Sequence, residues 1–290
     1  MLPGMAGKAR IAIVGAGNLG AALTVSLHQA GYVIEAIVTR AALKSLRRAR
    51  KLATEVGSRA VIRAKGVKAE VIWFCVPDAE IASAVRGLAE QIKWEGRTAL
   101  HSSGALSSDE LAGLRERGAA VASVHPLMTF VRGSRPALAG VPFAIEGDGK
   151  AVRIAQRVVN DMGGQSYSIR KEDKVAYHAW GTFVSPLFTA LLATAEQVAG
   201  LAGVKPKAAK RRMIPILLQT LANYAAFEAK DAFSGPIIRG DVDTVKRHLQ
   251  VLRGARAASE VYRALARAAL LYLPAKNKDA LRKVLGRRPR

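Results

Sequence analysis

Apolar residues recur with two different periods along this chain, and the change from one to the other divides it. Arg10 to Val14 reads as a first strand, Asn18 to Ala30 as a helix stopped by Gly31, and Tyr32 to Val38 as a second strand. Leu43 to Val56 follows as a helix and Arg59 to Ile62 as a short strand. The continuous apolar run Val71 to Val76 has the character of a strand buried on both faces. A helix over Ala79 to Gln91, a strand over Thr98 to His101, a helix over Ser108 to Arg117 and a strand over Ala120 to Val124 continue the alternation. Pro142 to Ile145 and Gln165 to Ile169 are expected to close the sheet. Such alternation implies an α/β fold with a parallel, doubly wound sheet.

After Arg170 the strand period disappears. Lys171 to Gly200, Lys205 to Lys230 and Asp243 to Tyr272 are rich in alanine and leucine at helical spacing, and the loop Ser234 to Asp241 separates the last two. The expected organisation is an α/β domain over residues 1–168 and a smaller all-helical domain over 169–290. The basic end from Lys283 is expected to fray.

Composition narrows the class. Half of the 290 residues are apolar, which excludes a disordered chain, and the one cysteine, Cys75, excludes a disulfide framework. Met1 to Arg10 has no apolar core of a signal peptide, and Lys, Arg, Pro or Gly interrupts the apolar stretches before the roughly 20 residues a membrane span needs. The expectation is a cytoplasmic protein with no membrane partner. The net charge of +23 raises the alternative of a nucleic-acid-associated protein. Its runs at Arg47 to Lys51, Lys205 to Arg212 and Arg282 to Arg290 lack any RNA-binding aromatic motif, zinc finger or recognition helix. They read as a solvated basic surface that attracts anionic ligands, with no specific nucleic-acid partner.

Chemistry enters at Gly15, Gly17 and Gly20, which follow the first strand and open a helix. Gly15 permits a tight turn, Gly17 a close approach of backbone to a pyrophosphate, and Gly20 close packing of helix on strand. This is the fingerprint of a Rossmann-type dinucleotide-binding domain. Enzymes using NAD usually place an acidic residue at the end of the second strand to hold a ribose hydroxyl. Here Thr39 and Arg40 stand at that place, with Lys44, Arg47 and Arg48 close behind. A hydroxyl and a guanidinium suit a 2′-phosphate, so the expected cofactor is NADP(H).

Several short motifs carry a resemblance: Val76-Pro77-Asp78, Ser102-Ser103-Gly104-Ala105, His125-Pro126-Leu127 and Gly235-Pro236-Ile237-Ile238-Arg239-Gly240-Asp241. Over roughly residues 8 to 275 the chain resembles an uncharacterised bacterial family that joins a Rossmann-like domain to a helical domain of unknown function. The wider superfamily includes 6-phosphogluconate and β-hydroxyacid dehydrogenases and pyrroline-5-carboxylate reductases. The resemblance implies a reductase or dehydrogenase and a homodimer built through the helical domain. It places Gly15, Gly17, Asn18, Leu19 and Gly20 at the pyrophosphate, Thr39 and Arg40 at the adenosine phosphate, and Val76 and Pro77 beside the cofactor ribose. Ser102 and Ser103 stand where β-hydroxyacid dehydrogenases hold a substrate carboxylate, and His125-Pro126-Leu127 resembles the His-Pro-Met signature of prephenate dehydrogenases. The Ser-Pro-Gly-Gly-Thr-Thr run of pyrroline-5-carboxylate reductases is missing. The lysine-x-x-x-asparagine pair of β-hydroxyacid dehydrogenases stands here as Lys174 and His178.

Helical geometry gives those two residues company. At ~100° per residue, positions 174, 178, 181 and 185 fall within one narrow wedge, so Lys174, His178, Gly181 and Ser185 are expected to line a cleft. A solvated helix edge is the alternative. Tyr177 and Trp180 read as packing residues. His125, after a buried strand, is either an acid–base residue or a hydrogen-bonded structural histidine; His101 reads as core-facing, His28 as structural and His248 as structural or interfacial. The histidines are dispersed, so no metal site is expected. Arg239 is expected to clamp a substrate carboxylate, or else its loop is a turn capped by Asp241 or Asp243. Together these residues point to an NADP(H)-dependent oxidoreductase acting on a carbonyl or imine of a small anionic metabolite. Lys174, His125 and His178 would act in catalysis; Ser102, Ser103, Ser185 and Arg239 would hold the substrate. The alternative is a non-catalytic NADP-binding sensor or scaffold.

Overall fold

The first strand, β1 (Ile11–Val14), is buried along its whole length because both of its faces meet apolar helices. Ile11 and Ile13 point into one hydrophobic core, Ala12 and Val14 into another, and the period of two that separates them also splits Val71 and Trp73 from Ile72 and Phe74. In this computed structural model, residues 7–286 are described. They form two units that divide between Thr182 and Phe183, later than the change of sequence texture near residue 168.

The first unit contains α1 (Asn18–Gln29), β2 (Ile34–Val38), α2 (Leu43–Glu55), β3 (Arg59–Val61), β4 (Val71–Phe74), α3 (Asp78–Ala89) and β5 (Thr98–His101). It continues with α4 (Ala112–Arg115), β6 (Ala120–Pro126), β7 (Pro142–Gly147), α5 (Gly149–Asp161) and β8 (Gln165–Ser168). The helix expected over Ser108 to Arg117 is a 3-10 turn, Ser108–Leu111, followed by the short α4. The eight strands form one sheet in the order β3-β2-β1-β4-β5-β6-β7-β8. All neighbours are parallel except β6 and β7, which run antiparallel. The fully parallel expectation fails there for a simple reason. No helix lies between β6 and β7, and a parallel pair needs a crossover connection.

The expected long helix over Lys171 to Gly200 is broken into α6 (Lys174–Val184) and α7 (Pro186–Leu201). Ser185 between them leaves the helical region, with φ −126° and ψ −80°, as the proline that follows disfavours helical backbone before it. Lys171–Leu201 is nevertheless helical and apolar enough to cross a membrane by length and composition alone. Gly181 and the Ser185–Pro186 step do interrupt this stretch, as expected, but its length and composition still reach those of a spanning helix. No residue in its most apolar 18-residue window is buried within the chain.

The second unit adds α8 (Pro206–Ala226), α9 (Ala229–Ala232), α10 (Pro236–Arg239), α11 (Val242–Val251), α12 (Arg256–Tyr272) and α13 (Lys278–Leu285). The helix expected over Asp243 to Tyr272 is thus two helices, parted by a 3-10 turn ending at Gly254. The expected fraying from Lys283 does not begin there. Leu281 and Leu285 of α13 are buried against Val245, Leu249 and Leu270, and residues 287–290 lie outside those described.

Candidate active site

The loop after β1 and the loop after β4 leave the sheet in opposite directions, because β2 and β3 lie on one side of β1 and β4 on the other. A ligand-binding crevice belongs at this reversal. A groove of about 580 Å³ opens there, lined by Gly15, Gly17, Thr39, Arg40, Val76 and Pro77 among others. Gly15 has φ +104°, and a Cβ on it would stand 2.6 Å from the carbonyl oxygen of Cys75. A Cβ on Gly20 would stand 2.1 Å from the carbonyl oxygen of Gly15, so both positions accept glycine alone. Over Gly17 the space is open, the nearest atom lying 4.0 Å away. Helix α1 starts there with no capping side chain and no acidic residue in its first turn. Its first N–H groups and its positive end are therefore left for an anion.

At the far end of the groove Arg40 is exposed, while Thr39 is buried with its N–H donating to Val61. Arg40 Nη1 donates to Glu80 Oε1 at 3.0 Å, and its Nε donates to Ser45 Oγ at 3.4 Å. Ser45 and Arg48 of α2 line the same end. Ser45 and Glu80 went unnoticed in the sequence, although Ser45 stands only five positions after Arg40.

The segment that follows Pro77 leads directly to a second group of residues. Ser103 Oγ donates to Asp78 Oδ2 at 2.8 Å and accepts from the Leu106 N–H at 2.9 Å. Ser103 is buried, and its hydroxyl is committed to holding the Ser102–Leu106 turn against the start of α3. Ser102, half-buried, accepts from Trp73 Nε1 at 2.8 Å and keeps its own proton free to donate. His101, at the end of β5, accepts the Ser103 N–H at Nδ1 (3.1 Å) and lies 3.0 Å from Ser107 O at Nε2. These partners require a neutral ring with its proton on Nε2. Burial, with the Lys174 charge in support, pulls its pKa down to about 4, and His101 faces the core, as expected.

His125, from β6, and His178, from α6, meet over Gly104 with ring centroids 6.0 Å apart and planes at 90°. Burial pushes the His125 pKa down to about 4, helped by the Lys174 charge. Its Nδ1 lies 3.2 Å from the Tyr177 hydroxyl. Tyr177 is buried, stacks edge-on against Tyr167 and Trp180, and has its own pKa raised by that burial. It was expected only to pack. No periodicity could have revealed its bond to a histidine 52 positions earlier.

Lys174 is placed differently from the cleft-lining position its helix face suggested. It is 1% exposed; Nζ donates to Ser103 O at 3.0 Å and to Ser123 Oγ at 2.7 Å. Burial lowers its pKa, while the carboxylates of Glu146 and Asp78 oppose that change. Glu146 is itself buried, accepting from the Ser108 N–H at 2.6 Å and the Ser108 hydroxyl at 2.8 Å. His178, one turn further along α6, is exposed. Gly181 continues this face, a Cβ on it lying 3.2 Å from Leu127, but the break at Ser185 ends it.

Ser185 and Arg239 belong to the second unit. Arg239 is exposed, its Nη2 lying 4.0 Å from Asp241 Oδ2. Asp241 caps α11, accepting from the Thr244 N–H and hydroxyl, and the hydroxyl bond holds its carboxyl below the usual range. The capping reading of this loop is therefore realised by Asp241. Among the described residues no group of three or more His, Cys, Asp or Glu side chains is placed to hold a metal ion.

Fold and groove together define a protein built on a Rossmann-type sheet followed by a helical domain. Residues 5–126 match the Rossmann-like domain, and residues 141–269 match the domain of unknown function DUF2520. Among solved structures, the chain is similar to a Bacteroides fragilis protein provisionally described as an NADP oxidoreductase. That match has a TM-score of 0.76 and 22% identity, over 90% of this chain and 97% of the other. A Thermotoga maritima protein gives 0.68 and 23%, over 95% and 98%. An imine reductase from Pseudomonas sp. gives 0.65 and 20%, over 91% and 94%. At these identities the likeness is one of fold. No curated protein matches the chain in sequence.

Proposed function

We propose that the protein is an NADP(H)-dependent oxidoreductase that reduces a carbonyl or imine on a small anionic metabolite. The observation that carries this reading is the groove at the sheet reversal, lined by Pro77, whose neighbour Asp78 is hydrogen-bonded to the Ser102–Leu106 turn that meets the His125–His178 pair at Gly104. The groove fits a dinucleotide: the uncapped start of α1 and the open space over Gly17 suit its pyrophosphate, and Arg40, Ser45 and Arg48 suit a 2′-phosphate. Its fold neighbours include an NADP oxidoreductase assignment, a reductive aminase in complex with NADPH and an imine reductase in complex with NADP+.

When bound, the cofactor supplies a hydride; this chain's residues hold the substrate and manage a proton. His125, kept neutral by burial, accepts the Tyr177 hydroxyl at Nδ1 and presents Nε2–H over Gly104. There it hydrogen-bonds the oxygen or nitrogen being reduced. His178, exposed beside it, brings the proton in from water, and Ser102 donates to the substrate's anionic group. Lys174 holds Ser103 and Ser123 in place behind the pair, and its charge adds to burial in keeping His101 and His125 uncharged. The active species is a cytoplasmic homodimer that hides the apolar surface of α7 and α8, with no specific nucleic-acid or membrane partner.

The test is calorimetric titration. NADPH should bind at least ten times more tightly than NADH, and Arg40→Asp should narrow or reverse that difference, since a charge-assisted contact contributes roughly 1.5–3 kcal/mol. Equal affinities in the unaltered protein would defeat the cofactor reading. Screening keto acids, semialdehydes and cyclic imines then tests for turnover; tight NADPH binding with no oxidation across the panel would favour the sensor.

A further inference from the structure

The adenosine end of the groove holds a carboxylate as well as its cations. Glu80 stands in the first turn of α3, on the wall opposite Arg40 and Ser45, and lines the same groove. Arg40 reaches from the end of β2 to this carboxylate, closing an ion pair of 3.0 Å between the two walls, while Nε leans on Ser45. The guanidinium on which a 2′-phosphate depends is thus already engaged by an anion of the chain itself. We propose that Glu80 is a specificity-determining residue: it competes with the 2′-phosphate for Arg40 and so holds NADP(H) affinity, and the preference over NAD(H), below what Arg40, Ser45 and Arg48 would give alone. This rests on the NADP reading and deepens it.

The size of the effect follows from exposure. Arg40 is 68% and Glu80 39% exposed at the side chain, and water weakens such pairs. A phosphate carrying up to two charges displaces the carboxylate, so the competition lowers affinity without preventing binding. Unmodified NAD(H) offers no group that needs Arg40 freed, and its affinity is indifferent to Glu80.

The experiment uses 2′,5′-ADP and 5′-AMP as probes, which share the adenosine and differ in the 2′-phosphate, titrated calorimetrically into the full-length protein. Glu80→Gln and Glu80→Ala should each tighten 2′,5′-ADP and NADP+ about three- to ten-fold at low salt, with 5′-AMP changing less than two-fold. In an Arg40→Ala background the same Glu80 substitutions should change 2′,5′-ADP affinity less than two-fold. Unchanged or weaker 2′,5′-ADP binding in both Glu80 variants overturns the proposal. So does a gain that persists without Arg40, which would mark plain repulsion rather than competition. If the unaltered protein binds 2′,5′-ADP no better than 5′-AMP, the NADP reading itself falls and takes the proposal with it, an outcome distinct from the first two.

Discussion

A Cβ placed on Gly104 would stand 2.9 Å from Nε2 of His125, so the Ser102–Ala105 turn touches that imidazole with bare backbone. The same Cβ would stand 2.5 Å from Cδ2 of His178. His178 is exposed and can turn aside, but His125 can do so only by leaving the Tyr177 hydroxyl, so Gly104→Ala should cost about 1–3 kcal/mol of stability. We expect the variant to remain folded by its denaturation midpoint while turnover on an identified substrate falls about 100-fold, since small misplacements of reacting groups are costly. Unaltered turnover would show that the histidine pair is not where reduction occurs.

The two buried imidazoles give the protein a defined weakness towards acid. His101 and His125 have pKa values near 4 in the folded chain, against 6.5 for a free imidazole. Between pH 6.5 and 4 the unfolded chain binds protons at these rings and the folded chain does not, so stability falls as the pH falls through this window. Below about 4 this contribution levels off. The full effect is of order 3 kcal/mol for each ring. Urea midpoints measured from pH 7 to pH 4 should drop, and His101→Gln, whose amide can replace both of the ring's bonds, should flatten the decline. A variant with the same slope as the unaltered protein would remove His101 from the account.

The strands and the glycine loop were legible because each depends on residues close in sequence. Alternation assigns Ile11 and Ile13 to one face of β1, and Gly15 to Gly20 need only the strand before and the helix after. The direction of β7 was not legible, since it follows from a connection that lacks a helix. Lys174 and His178 were placed on one helix face, but spacing alone does not say that Lys174 is buried and His178 exposed. Ser185 was drawn onto that face by periodicity, and the Ser-Pro step then broke the helix. The contacts of Tyr177, Asp78, Ser123 and Glu146 were not legible because their partners come from other elements, as with Lys174 and Ser103, 71 positions apart.

Helices α7 and α8 show how much surface the chain leaves uncovered. No residue of α7 and only Ala209 of α8 is buried, whereas Leu187, Leu201, Ile216, Leu218, Leu221 and Tyr224 are exposed. An apolar surface of this extent calls for a partner. Light scattering on purified protein should give a dimer at micromolar concentration, and Leu218→Glu with Leu221→Glu should shift it towards monomer. A monomeric unaltered protein would overturn the assembly. Flotation with liposomes, which Lys171–Leu201 makes worth measuring, would instead point to a membrane.

Lys174 and His125 can be separated as the source of chemistry, because burial assigns them different jobs. Lys174 makes two hydrogen bonds inside the protein and is 1% exposed, so a substrate reaches it only by displacing Ser103 or Ser123. His125 Nε2 lies against the Gly104 backbone beside an exposed histidine. Lys174→Met keeps the apolar stem and removes the charge. It should destabilise the fold by about 2–3 kcal/mol, as a buried carbonyl and hydroxyl lose their donor, and raise the pKa of both neighbouring imidazoles. Turnover should fall by about ten-fold or less where the variant remains folded, with its acid limb moved to higher pH. His125→Ala should instead cost about 10²–10³-fold in turnover, the usual range when a hydrogen-bond donor to the developing charge is lost, with NADPH affinity changed little. Tyr177→Phe, which keeps the ring and removes the hydroxyl on Nδ1, should fall between the two. The reverse order, with Lys174→Met inactive yet folded and His125→Ala near normal, would make the lysine the proton donor. The wall formed by Ser103 and Ser123 would then have to open during the reaction, and hydrogen exchange at the Ser103 and Leu106 amides would reveal that motion.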